Sequence, residues 1–120
     1  PVYLSLMRGR NGVLTSDWEP LLDVISDAER SPRERSEIFH ASLAQVIVQQ
    51  ACRLGHEHDI HQVGLSGGVF QNRLLAELAI EGLQRRGFDV YLPEQLPCND
   101  AALCYGQAAH LAAQSAGARP

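Results

Sequence analysis

At 120 residues, 45% of them hydrophobic, the chain has material for one domain with a modest core. The formal net charge is −4 and the basic residues are scattered singly or in small groups, which argues against a nucleic-acid surface. No apolar run approaches the roughly 20 residues that a membrane-spanning helix needs.

The first sixteen residues predict a hairpin. Val2, Leu4 and Leu6 alternate with Tyr3, Ser5 and Met7, and Asn11-Gly12 offers turn chemistry before Val13-Leu14-Thr15. Asp17 is placed to cap a short helix over Trp18 to Ser26, with Trp18, Leu21, Leu22 and Ile25 on one side. Ser31-Pro32-Arg33-Glu34 combines an N-cap, a first-turn proline and a capping-box acid. Phe39, Leu43, Val46, Ile47, Ala51 and Leu54 then recur at helical spacing, and Gly55 is expected to end that helix. A strand over Ile60 to Leu65, a helix over Gln71 to Arg86 with Leu74, Leu75, Leu78 and Ala79 inward, and a strand over Phe88 to Leu92 follow, with Gly87 closing the middle helix. An alanine-rich helix from about Asp100 to Gln114 completes residues 1–114, and 115–120 reads as a flexible tail. Strands alternating with helices imply an α/β fold with a mixed sheet flanked by helices, ligands binding at the carboxyl ends of the parallel strands.

Cys52, Cys98 and Cys104 cannot all pair with one another. An odd count with no secretory leader pattern leads us to expect reduced thiols in the cytoplasm, with Cys98 and Cys104 buried or partly buried. A chain that opens on Pro1 rather than Met is expected to be a piece of a longer protein.

The most informative stretch is Gly64-Leu65-Ser66-Gly67-Gly68-Val69-Phe70-Gln71-Asn72. A strand ends in a glycine pair and a helix opens at once, so bare backbone is presented to a flat or anionic ligand. The same residues fit G-x-S-x-G, and Ser66 with Asp89 or Asp100 and His110 follows the chain order of a hydrolase triad. Against that stand the shortness of the chain and the placement of His110 inside a helix. His56-Glu57-His58-Asp59-Ile60-His61 holds metal-ligating residue types, but it also reads as a polar connection with no second ligand cluster. Asp100, in Cys98-Asn99-Asp100, is placed to cap the last helix and to face the glycine turn across the strand ends, roles that the two oxygens of a carboxylate can combine.

Gly64 to Leu75, read as G-L-S-G-G-V-F-Q-N-R-L-L, resembles the C-terminal signature of the HypF family, the carbamoyltransferases of nickel-iron hydrogenase maturation. The resemblance continues in Asp17 to Leu22, Gly87 to Pro93, Pro97 to Asp100 and Tyr105 to Ala108, and so covers nearly the whole chain. It implies one lobe of the actin, sugar-kinase and Hsp70 ATPase type of fold. By analogy with threonylcarbamoyl-transferring relatives, Gly67 and Gly68 would line the pocket for ATP or carbamoyl-adenylate, Asn72 would hydrogen-bond nearby, and Asp100 would help bind a divalent metal at the phosphates.

The implied chemistry makes carbamoyl-adenylate from carbamoyl phosphate and ATP in an adjoining domain. The carbamoyl group then passes to a C-terminal cysteine thiol of a partner maturation protein. Upstream domains, including the other lobe with its histidine ligands, would be partners within the same longer chain, so these 120 residues would hold half of a cleft. Two departures bear on the cleft: Ala101-Ala102 replaces a usual glycine pair, and Cys98 a common proline. A non-catalytic nucleotide-binding or assembly module and a serine hydrolase using Ser66 stand as alternatives.

Overall fold

The computed structural model describes residues 1–117. Strands β1 (Leu6–Arg8) and β2 (Leu14–Ser16) lead into helices α1 (Pro20–Ser26) and α2 (Pro32–His58), then strand β3 (Gln62–Gly64), helix α3 (Arg73–Gln84), strand β4 (Asp89–Tyr91) and helix α4 (Leu103–Gly117). Short 3-10 turns at Gly68–Gln71 and Asp100–Ala102 introduce α3 and α4. The chain is therefore α/β, as its pattern predicts.

The hairpin forms in the expected place, pairing Leu6 with Ser16 and Arg8 with Leu14. Gly12 takes φ +79° in its turn, and the Asn11 side-chain oxygen accepts the Val13 N–H at 3.2 Å. Helix α1 begins at Pro20, after Asp17 Oδ1 has accepted the Glu19 N–H at 3.0 Å. Its buried residues are Leu21 and Val24, whereas Trp18, Leu22 and Ile25 are exposed. The expected stripe is thus corrected: a seven-residue helix presents only a narrow face to its neighbour, and Trp18 precedes it.

Helix α2 organises the domain. Its capping box is complete: Ser31 Oγ accepts the Glu34 N–H at 3.2 Å, and Glu34 Oε2 accepts the Ser31 N–H at 2.9 Å. Gly55 does not end it. The helix runs one turn further to His58 and stops at Asp59, which adopts the left-handed conformation at φ 52°. Gly55 is a close-packing point instead, since a Cβ there would lie 2.8 Å from the Ile60 carbonyl oxygen and 2.9 Å from the Phe88 ring.

Two faces of α2 are apolar. Val46, with Phe39 and Leu43, packs against Leu4, Leu6 and Leu21; Ala44, with Ile47 and Ala51, packs against Leu65, Leu75, Ala79 and Leu83. Between them Ser42 is fully buried and fully used, accepting the Val2 N–H at 2.8 Å and donating to the Ile38 carbonyl at 2.7 Å. This two-sidedness explains why the expected mixed sheet is instead two separate pairs. The antiparallel hairpin occupies one face of α2, and the parallel pair β3–β4 lies with α3 at the other.

In α3 the buried residues are Leu75, Ala76, Ala79 and Leu83, while Leu74 is exposed and Leu78 half-buried. The inward face is therefore rotated from the expected one, away from Leu74 and toward Ala76 and Leu83. Gly87 takes φ +85° after the helix, as its position predicts. Helix α4 has no buried residue and extends a molecule measuring 67 × 31 × 28 Å. It continues through Gly117, with Ser115 Oγ donating to the Leu111 carbonyl at 3.0 Å, so 115–117 are helical. Residues 118–120 of the expected tail lie outside the described residues.

Candidate functional site

The parallel pair brings two loops together at its carboxyl end. Leu65, 4% exposed, anchors the first by donating its N–H to the Tyr91 carbonyl at 2.9 Å. The chain then turns through Gly67 at φ +109° and ψ 154°, a conformation open essentially to glycine alone. The Gly67 N–H donates to the Cys98 carbonyl at 2.6 Å, and the nearest outside atom to a Cβ built on Gly68 would be the Asn99 Cβ at 3.9 Å. The glycine turn and the Cys98-Asn99-Asp100 loop are thus stitched together backbone to backbone. The Gly68 and Val69 amides have no acceptor among the described residues, which leaves two donors for a ligand.

A cavity of about 420 Å³ opens at this junction. Its walls are Ser66 and Gly67 on one side, Cys98, Asn99 and Asp100 on the other, and Ala102, Leu103, Gly106 and Gln107 at the start of α4. Two residues expected to act together, Gly67 and Asp100, therefore line one space. Asp100 does not cap the helix. Asn99 instead caps the 3-10 turn that leads into it, its Oδ1 accepting the Ala101 N–H at 3.1 Å, so the exposed Asp100 carboxylate is left without a partner among the described residues. The sequence signal for this was available, because asparagine is as good a cap as aspartate and lies one residue earlier.

Gly68 and Asn72, both expected at the pocket, do not line the cavity, and Asn72 is engaged elsewhere. Its Oδ1 accepts the Leu75 N–H at 3.2 Å as the cap of α3, and its Nδ2 lies 2.7 Å from His40 Nε2 on α2. Its side chain is occupied in capping α3 and meeting His40, while its backbone N–H holds the turn at the Val69 carbonyl. Reading along the sequence missed His40, Asn99, Leu103 and Gln107; His40 is 32 positions from Asn72 and no local pattern links them.

The other constellations do not assemble. His110 faces its own helix, with Nε2 2.9 Å from the Gln114 amide nitrogen, and it does not line the cavity that holds Ser66. Ser66 makes no hydrogen bond to a histidine among the described residues, so the triad reading is corrected. His56 and His58 occupy the last turn of α2, not a loop, and the Glu57 carboxylate between them is taken by Arg53 at 2.5 Å and by Arg8. The hydrogen bonds from Arg53 and Arg8 hold that carboxyl below its ordinary value. No group of three or more His, Cys, Asp or Glu that could hold a metal ion occurs among the described residues. All three cysteines are free thiols; Cys98 is half-buried, but Cys104 is exposed, because nothing among the described residues covers α4. No helix of the described residues is long and apolar enough to cross a membrane.

Residues 4–107 match the family described as "Carbamoyltransferase, Kae1-like Domain, second subdomain". The chain is 36% identical over 106 residues to the carbamoyltransferase HypF of Synechocystis, a match covering 88% of this chain and 13% of that protein. It is 35% identical over 85 residues to the tRNA N6-adenosine threonylcarbamoyltransferase of Bacillus subtilis, covering 70% of this chain and 25% of that enzyme. The crystal structure of full-length HypF in its phosphate- and nucleotide-bound form superposes with a TM-score of 0.79 at 31% identity, covering 89% of this chain and 14% of that one. The chain thus spans about an eighth of the length of the HypF relatives it matches.

Proposed function

The chain belongs to the Kae1-like carbamoyltransferase domain family, as its second subdomain, and we propose that it forms one wall of a cleft in which a carbamoyl group leaves an adenylate for a thiol. The observation that carries this reading is the backbone junction between the glycine turn and the Asp100 loop, with the cavity it frames. The actin-type lobe, the donor and the acceptor all belong to the proposal.

In this reading Gly67 and Gly68 lie against the adenosine and phosphates of ATP or carbamoyl-adenylate. The open amides of Gly68 and Val69 donate to phosphate oxygens, and Gly106 lets the ligand approach α4 closely. Asn72 contributes by fixing the turn rather than by touching the ligand. The free carboxylate of Asp100 fits a divalent cation of the magnesium type, which takes one or two carboxylates and fills its other positions with phosphate oxygens and water. Such an ion, when bound, offsets charge on the departing phosphate. The remaining protein ligands would come from the opposite lobe.

The transfer balances simply. A thiol sulfur forms a bond to the carbamoyl carbon, the bond from that carbon to the adenylate oxygen breaks, AMP departs with the bonding pair, and the thiol proton is released. This chain's task is geometric: two fixed loops hold the adenylate so that attack becomes effectively unimolecular. The acceptor we propose is a C-terminal cysteine of a hydrogenase maturation protein, in the reducing cytoplasm where free thiols persist. Upstream domains would supply the carbamoyl-adenylate and the second wall, so this chain alone would not turn over.

The test uses the full-length protein that carries this chain, supplied with carbamoyl phosphate, ATP, Mg²⁺ and a peptide ending in cysteine. Mass spectrometry is expected to find one added carbamoyl group on the thiol, and Asp100→Asn to slow its formation at least tenfold. Unchanged carbamoylation in that variant would remove Asp100 from the site. No carbamoylation by the unaltered protein would favour an assembly module that lacks chemistry.

A further inference from the structure

Asn72 is held from two sides, and the second side is a histidine. His40 Nδ1 lies 2.7 Å from the Ser36 carbonyl oxygen, which can only accept, so Nδ1 carries a proton. His40 Nε2 lies 2.7 Å from Asn72 Nδ2. The orientation of that amide is fixed independently, because its oxygen must face the Leu75 N–H that it accepts at 3.2 Å. Nε2 must therefore be the acceptor, and His40 is held as the neutral tautomer protonated on Nδ1. Its ring stands nearly perpendicular to that of Phe39, with the centroids 5.5 Å apart.

The connection reaches the glycine turn in one further step. The Asn72 backbone N–H donates to the Val69 carbonyl at 3.1 Å, and the Phe70 N–H donates to the Gly67 carbonyl at 3.1 Å. Helix α2 thus grips the start of α3 through His40 and Asn72, and Asn72 grips the turn. We propose that His40 is a positioning residue for the glycine turn, acting through Asn72, and that protonating it releases the turn. The proposal rests on the reading of that turn as part of the nucleotide site.

The chemistry of release is direct. A protonated imidazole has no lone pair, so its Nε2–H would confront the Asn72 NH₂ group at hydrogen-bond distance, donor against donor. Either the pair separates or the Asn72 amide turns over to offer its oxygen to the ring, and by both routes the oxygen is no longer held on the Leu75 amide. Few charges surround the ring. In the adjoining cavity of about 340 Å³ the charged neighbour is Arg35, whose Nη1 donates to the Ile25 carbonyl at 2.9 Å and whose buried Nε has no acceptor among the described residues. On α3, Arg73 follows Asn72 and pairs with Glu77 at 3.3 Å.

The test follows the Asn72 side-chain amide and the Gly67, Gly68 and Val69 backbone amides of the ¹⁵N-labelled chain between about pH 8 and about pH 5, the span over which histidines titrate. In the unaltered protein these signals are expected to move with the same midpoint as the His40 ring. In His40→Gln, whose side-chain oxygen can still accept but does not titrate, they should stay near their high-pH positions throughout. His40→Phe keeps the packing but offers no acceptor; the signals should hold low-pH-like positions at every pH, with ATP binding about two- to tenfold weaker, the effect of one lost hydrogen bond. Gly67 to Val69 amides that ignore the His40 titration would overturn the proposal, as would His40→Gln tracking pH like the parent; the glutamine variant decides if the phenylalanine one does not fold. ATP titrated into the same sample separates the two ideas. Linked shifts without ATP binding would retire the nucleotide reading alone, and ATP binding without linked shifts would retire the His40 proposal alone.

Discussion

Gly67 carries the sharpest expectation for a single residue. Its φ of +109° with ψ 154° leaves no low-energy well for a side chain, although the space around it is open, with no outside atom within 4 Å of a built Cβ. Gly67→Ala is therefore expected to cost about 1–3 kcal/mol in denaturant unfolding, through backbone strain rather than collision. A variant as stable as the parent would mean that the turn can adopt another path. That glycine was legible in the sequence because a strand ending in Gly-Gly before a helix has few other uses. Gly55 was misread for the converse reason: a glycine near a helix end looks like a terminator, and the Phe88 ring packed on it is 33 positions away. The placement of Asp100 across from the glycine turn was legible in the sequence, and so, one residue earlier, was the Asn99 cap that leaves its carboxylate unused.

At the scale of elements, α2 carries its own pH signature. The Glu34 carboxyl is held below its ordinary value, first by the hydrogen bond from the Ser31 hydroxyl and then by that from the Ser31 N–H. The unfolded chain loses both bonds, so its Glu34 protonates at the ordinary value. The stabilisation is complete above that ordinary value and is lost as pH falls through the lowered one. Ser31→Ala should reduce stability at neutral pH and make the acid loss shallower, which chemical denaturation of both proteins across the acid range would read. Parallel curves would disconnect the capping box from the acid response. The box itself was plain in Ser31-Pro32-Arg33-Glu34 because capping is local. The division of the strands into two pairs was not plain, because it follows from α2 being apolar on two faces, and a run of apolar residues at helical spacing does not say how many partners it serves.

At the scale of the molecule, the core is unevenly distributed. Leu75, Ala79 and Leu83 are buried against α2, whereas Leu103, Tyr105 and Leu111 of α4 are at least 60% exposed. Stability should follow that gradient: backbone amides of α4 are expected to exchange with solvent far faster than those of α2 and α3. Equal protection would require α4 to be covered in solution by something other than the described residues. The cavity of the proposed site joins the two regimes, with one wall fixed on the parallel strands and the other at the root of the unsupported helix.

The central claim is that this junction is half of a nucleotide site, and titration of the ¹⁵N-labelled chain with ATP and Mg²⁺ tests it most directly. Saturable shifts confined to Gly67, Gly68, Val69 and the residues from Asn99 to Gln107 are predicted. Shifts absent from those two segments, or centred on the cavity of about 570 Å³ between the hairpin and α2, would contradict it.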